Sequence, residues 1–264
     1  MTGAETTALL APIAANLAGA LIALDFDGTL APLTSDPMAS RPVAGVVATL
    51  HRLAEAGAQI AIVTGREAET VLELGGLHDI DRLIASGLHG AETWRAGQLS
   101  TLDEPAGMPA LRAELPKLLP DRVWVEDKRL SLVVHTRQAA DPERMLAELA
   151  EPIGRLAAEH GLDSHPGKLV LELRIPRLSK ATALDQLLTG QTTAALFAGD
   201  DLGDLPALAA IRAWSQRTGR PGRTVAVGEL PDLRAAADLA LDTPAELAEA
   251  LAGLLSEPSK LAET

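Results

Sequence analysis

The 264-residue sequence predicts an α/β fold: a doubly wound, mostly parallel sheet with a smaller α+β unit inserted in it. Two patterns carry that expectation. Continuous apolar runs that end in turn residues alternate with helical periodicity, which suits strands buried on both faces. From about Glu104 to Pro176 the runs give way to period-two alternation, which suits strands with one face free.

The elements follow in chain order. The N-terminal stretch "ALLAPIAANLAGA" reads as a short helix running into a buried strand. It lacks the basic start of a signal peptide, since the first Lys or Arg is Arg41, and Pro12 and Asn16 interrupt it. It is also too short to span a membrane, so the expected compartment is the cytoplasm. The strands expected on both sides of the insertion are "ALIALDFDG", "AQIAIVTGR", "RLIASGLHG", "AALFAGDDLGD" and "RTVAVGEL". Between them, "RPVAGVVATLHRLAEAG" predicts a helix with Pro42 near its start and Gly57 at its end. "TPAELAEALAGLL" carries Thr243, Pro244 and Glu246 in capping-box order. Together these predict a Rossmann-like core over 1–103 and 177–264, with an α+β cap over 104–176.

In the cap, "VEDKRLS" predicts a hairpin turn. The following strand sets Leu130, Leu132, Val134 and Thr136 against Ser131, Val133, His135 and Arg137. "GKLVLELR" sets Leu169, Leu171 and Leu173 against Lys168, Val170, Glu172 and Arg174. Helices near Met108–Leu119 and Pro142–His160 are expected to cover the leucine faces.

Hydrophobic residues make up 47% of the chain, enough for a core. The net charge of -13 argues against nucleic acid and membrane surfaces as partners, because both call for basic surface. With no cysteine, disulfides and thiolate metal sites are excluded.

In an open α/β sheet, ligands sit beyond the carboxyl ends of the strands, and four sequences are expected there. Asp25-Phe26-Asp27-Gly28-Thr29 places two carboxylates at i and i+2, both able to reach one site from a strand; two turn-forming aspartates are the alternative. Thr64-Gly65-Arg66 offers a hydroxyl and amides at a helix start, either as an anion site or with Thr64 as a plain N-cap. Lys180 follows the N-cap candidate Ser179, at the end of a helix that disfavours a cation unless an anion faces it. Asp200, Asp201 and Asp204 put three carboxylates within five positions, a donor set that suits Mg²⁺.

The series D-x-D-G-T, T-G-R, lone Lys and G-D-D-x-x-D resembles the haloacid dehalogenase superfamily. The stretches "DFDGTLAP", "GLHGAE", "VEDKRLSLVVHTR" and "GKLVLELR" narrow the resemblance to its trehalose-6-phosphate phosphatases, over nearly the whole chain. The resemblance implies a Mg²⁺-dependent phosphatase acting on a small sugar phosphate, with Asp25 as nucleophile and Asp27 as general acid and base. Thr64 and Lys180 would hold the phosphoryl oxygens, and Asp204 would orient the metal shell or Lys180. The metal ligands would be Asp25, the Asp27 carbonyl and Asp200, with Asp201 as a helper. Gly65, Arg66, His89, Glu92, Lys168, Glu172 and Arg174 are the implied substrate-binding positions, while His135 and Arg137 are left between sugar contact and cap stability. The rivals are a phosphatase of another sugar phosphate and a non-catalytic sugar-phosphate-binding domain; intact Asp25, Asp27, Lys180 and Asp200 argue against the second. Nothing in the residues supports a complex with a trehalose-6-phosphate synthase. Gly203, Leu205 and Leu208 depart from the family's Thr, Glu and Phe in the last motif, which bears on how that loop is positioned.

Overall fold

The computed structural model describes residues 3–256, which fall into two compact units, one up to Ser100 and from Ser179 onward, the other from Thr101 to Leu178. The first holds an eight-stranded sheet. Its strands are β1 (Leu21–Leu24), β2 (Gln59–Val63), β3 (Ile84–Gly87), β4 (Glu92–Arg95), β5 (Gln98–Thr101), β10 (Ala195–Gly199), β11 (Gly222–Val227) and β12 (Leu239–Leu241). Their order is β12-β11-β10-β1-β2-β3-β4-β5, parallel from β12 to β3 with β4 antiparallel to β3.

Alternation along β1 shows why the sheet is doubly wound. Ile22 and Leu24 join one apolar cluster with α1 (Gly3–Ala14), α2 (Val46–Glu55), α3 (Ala68–Gly75) and α9 (Pro244–Gly253). Leu21 and Ala23 join the other, with α6 (Lys180–Leu187), α7 (Leu205–Thr218) and α8 (Pro231–Ala236). A strand buried on both faces needs apolar residues at every position, and all four residues of β1 are buried. Leu208, one of the departures from the family pattern, fills the second cluster.

Two helix starts differ from expectation. α2 begins at Val46, after Gly45 in the left-handed region, so Pro42 lies in the loop before it. At α9, Thr243 caps the Glu246 amide as expected, but the Glu246 carboxylate accepts from Asp242 N–H, one residue before the capping-box position. Ser179 caps α6 as predicted and closes a reciprocal box with Thr182.

The second unit is a four-stranded antiparallel sheet, β6-β7-β9-β8, built from β6 (Trp124–Asp127), β7 (Ser131–His135), β8 (Asp163–Gly167) and β9 (Val170–Arg174). One face places Leu132, Val134, Leu171 and Leu173 against α4 (Met108–Glu114), the short turn of helix after it, and α5 (Pro142–Glu159). "GKLVLELR" is not one strand. It bends at Lys168–Leu169, where Leu169 has φ of 61°, and pairs back on β8. Lys168 is therefore an exposed turn residue rather than a member of the Glu172–Arg174 row. β8 is hard to read from its sequence because "DSHPG" is polar and holds Pro166, which an edge strand tolerates. No helix among the described residues is long and apolar enough to cross a membrane.

Candidate active site

β1 lies between β2 and β10, so the connections leave it in opposite directions, and the crevice forms at their carboxyl ends. Asp25 follows β1 and is tied to β10 by its N–H, which donates to the Ala198 carbonyl at 2.9 Å. Asp200 follows β10. Lys180 enters from the first turn of α6, and its Nζ lies 3.0 Å from Asp25 Oδ1 and 2.6 Å from Asp204 Oδ1. Asp204 is fully buried, and its other oxygen accepts from the Asp200 and Asp201 amides at 3.0 and 3.1 Å. That arrangement depends on Gly199, where a Cβ would stand 2.3 Å from the Asp204 carboxyl carbon.

Asp25, Asp200 and Asp204 each bring an oxygen within 4.8 Å of the others, and the Lys180 ammonium bridges Asp25 and Asp204. The charge does not balance. Burial, with Asp200 and Asp201 adding repulsion, pushes the Asp25 carboxyl up to about 7 despite Lys180. Burial, with Asp204 and Asp201, does the same to Asp200, again to about 7, and burial likewise raises Asp204. Burial opposes the charge on Lys180, but Asp25 and Asp204 outweigh it and hold the ammonium above its usual range. Clustered carboxylates short of positive charge are a donor set suited to a hard divalent cation, so these residues fit the metal that the resemblance implies. Asp201 is exposed at the edge of the group.

Gly28 sets the shape of this site. It has φ of 77°, and a Cβ there would lie 1.9 Å from Asp200 Oδ2. We expect Gly28→Ala to displace the Asp200 carboxylate, cutting divalent-cation affinity and turnover by at least about 100-fold, on the scale of losing an electrostatic group; cation titration followed by calorimetry would measure it.

Asp27 has a setting of its own. β1 ends at Leu24, so the strand rule does not carry to Asp27, and its carboxylate has partners of its own. Arg66 donates to it twice, from Nε at 2.5 Å and from Nη2 at 2.7 Å, and Ser40 Oγ donates at 3.0 Å. Arg66, expected on the substrate, thus grips Asp27 in this structure. Thr64 is buried, and its hydroxyl accepts from Arg66 N–H at 3.2 Å; it is not a helix cap, since α3 begins at Ala68. The loop after β3 holds this segment in place. Leu88 N–H donates to the Arg66 carbonyl and His89 N–H to the Thr64 carbonyl, and the His89 ring packs over Gly65. Leu88 and His89 are both at positive φ, strain that this bonding maintains. Glu92 is buried and accepts from Ala68 N–H at 3.0 Å, capping α3. In the structure His89 thus lies against the Thr64–Arg66 loop and Glu92 against the start of α3. Ser40 was not legible beforehand: its only signal is the Asp36-Pro37 turn that carries it.

In the second unit, Glu172 accepts from Ser131 Oγ at 3.1 Å and lies 3.5 Å from Arg174. His135 hydrogen-bonds Glu126 at 3.0 Å and stacks on Trp124. Arg174 Nε and His135 Nδ1 are buried without a hydrogen-bond partner among the described residues.

A sequence profile of the family described as trehalose-phosphatase matches residues 23–243. The chain belongs to the trehalose-phosphatase family. It is 33% identical over 246 residues to a trehalose-phosphate phosphatase of Mycolicibacterium paratuberculosis, covering 85% of this chain and 59% of that protein. The chain thus spans about three-fifths of the length of the curated relatives it matches first. Among solved structures, a trehalose-6-phosphate phosphatase related protein superposes with a TM-score of 0.69 at 25% identity, covering 88% of this chain and 95% of that one. The C-terminal domain of a C. albicans trehalose-6-phosphate phosphatase shares the fold, with a TM-score of 0.74 at 21% identity over 95% and 96% of the two chains. The family match covers all four motifs of the first unit and the whole of the second.

Proposed function

We propose that this chain is a Mg²⁺-dependent phosphatase that releases phosphate from trehalose 6-phosphate. The observation that carries the reading is the cluster of Asp25, Asp200 and Asp204, with the buried Lys180 bridging Asp25 and Asp204, in a chain of the trehalose-phosphatase family. Asp25 attacks phosphorus, the bond from phosphorus to the sugar oxygen breaks, and Asp27 gives that oxygen a proton. Asp27 then takes a proton from water as it attacks phosphorus, and the bond to Asp25 breaks to free phosphate. Lys180 and the Thr64 loop receive the phosphoryl oxygens. Asp25, Asp200 and the Asp27 carbonyl would hold Mg²⁺, which when bound offsets charge on the phosphoryl group.

For the sugar, we assign recognition to the polar face of the second unit's sheet. The orphaned Arg174 Nε and His135 Nδ1 support this, because a buried polar atom without a partner is costly and a polyol supplies hydroxyls. Burial lowers the Arg174 guanidinium's pKa, which a ligand acceptor would offset. We expect Glu172→Ala to raise KM for the disaccharide phosphate by about tenfold or more while leaving hydrolysis of a small aryl phosphate within about twofold, as for loss of one charged hydrogen bond. Equal effects on both substrates would assign Glu172 to stability.

The reading as a whole is tested by phosphate release from a panel of sugar phosphates, with and without EDTA. Trehalose 6-phosphate is expected to be turned over fastest and only with the metal present. Turnover no faster than that of sucrose or hexose phosphates would overturn the substrate assignment.

A further inference from the structure

The Asp27 carboxylate accepts three side-chain hydrogen bonds from two separate loops. Arg66 takes both of its oxygens in a fork, and Ser40 Oγ takes Oδ1 as a third donor. Ser40 is 1% exposed, although it lies on a loop, and its neighbours fix it. Asp36 caps the Pro37–Ala39 turn by accepting from Met38 N–H at 3.0 Å. Arg41 Nη1 donates to the Ser40 carbonyl at 2.7 Å and to that of Met38 at 2.9 Å. Val43 N–H donates to the Leu30 carbonyl at 2.9 Å, tying the loop back to the segment after Asp27. Arg66 is fixed as well, through Thr64 Oγ1 on its N–H and Leu88 N–H on its carbonyl, and its guanidinium lies 5.9 Å from the Phe26 ring centre. A buried hydroxyl and a fork, converging on one half-exposed carboxylate from two separate loops, set the rotation of that carboxylate.

We propose that Ser40 is a positioning residue for proton transfer, which with Arg66 fixes the Asp27 carboxylate so that one oxygen is presented to the leaving group. This rests on the reading of Asp27 as general acid. When phosphorus passes from an ester to Asp25, the bond from phosphorus to the leaving oxygen breaks, its electron pair stays on that oxygen, and the Asp27 proton neutralises it. An ill-placed acid therefore costs most where the leaving oxygen is most basic. Removing an atom that only supports the fold would slow every ester by one factor.

The test measures single-turnover phosphoryl transfer for aryl and alkyl phosphates of graded leaving-group pKa, in the full chain with Mg²⁺, for wild type, Asp27→Asn, Ser40→Ala, Ser40→Thr and Arg66→Lys. Thermal melts check that each is folded. We expect Asp27→Asn to steepen the dependence of rate on leaving-group pKa. Ser40→Ala should steepen it in the same sense, slowing the alkyl esters about tenfold and the nitrophenyl ester less than about twofold, a fraction of the full general-acid effect. Ser40→Thr, which keeps the hydroxyl, should restore the wild-type slope. Arg66→Lys keeps the charge but cannot fork, and should also steepen it. If Asp27→Asn steepens the slope while Ser40→Ala and Arg66→Lys give parallel lines, the positioning role is overturned and Asp27 stands as the acid. If Asp27→Asn leaves the slope unchanged, Asp27 is not the acid and the proposal fails with that reading.

Discussion

Asp25→Asn is expected to abolish phosphate release while leaving the chain folded. The amide keeps the volume of the carboxylate but cannot act as a nucleophile toward phosphorus, so turnover should fall by about 10⁴-fold or more, some 5.4 kcal/mol in the barrier. The fold should not suffer. Asp25 is one of three clustered carboxylates, and burial already pushes its carboxyl up to about 7. Removing one negative charge relieves part of that repulsion, so the metal-free variant should melt no lower than wild type. A phosphate assay and a thermal melt on the same preparation check both halves. Turnover above about 1% of wild type would remove Asp25 from the nucleophile role.

Lys180→Met is expected to have the largest effect on stability. The ammonium is 4% exposed and is the common partner of Asp25 and Asp204, at 3.0 and 2.6 Å. Breaking a buried ion pair from one side leaves a desolvated charge uncompensated, which costs about 3–5 kcal/mol. Methionine fills similar space, so the loss reports charge rather than a cavity. Urea unfolding without metal measures it. Asp204→Asn in the Lys180→Met background should recover part of the loss, since the two side chains are in direct contact and their effects do not add. A loss below about 1 kcal/mol from Lys180→Met alone would mean that the pair is not the buried charge centre described here.

The strands of the first unit were legible because a strand covered on both faces leaves an unmistakable mark: "LIAL", "QIAIV" and "ALFAG" have no room for a polar residue inside. Lys180 was legible for a related reason. A cation placed in the first turn of a helix works against the dipole unless an anion faces it, and Asp25 and Asp204 supply that anion. The second unit was harder. Its leucine faces could be read from alternation, but β8 is short, polar and at an edge, and the turn at Lys168–Leu169 lacks the glycine or asparagine that marks a hairpin. Lys168 was consequently assigned to the wrong place.

By itself the sequence determined the α/β class, the crevice end of the sheet, and the residue types at each strand end, because burial and helix polarity act locally and leave local signatures. Only the tertiary structure decided which side chains each carboxylate meets. Asp25 and Asp27 are two residues apart, yet one joins Asp200, Asp204 and Lys180 while the other goes to Arg66 and Ser40. Once the strand ends, side-chain direction is set by the turn and by partners far along the chain, and no short-range pattern encodes them. Ser40 stands thirteen residues from Asp27, and its hydroxyl has meaning only where the folded loop brings the two together.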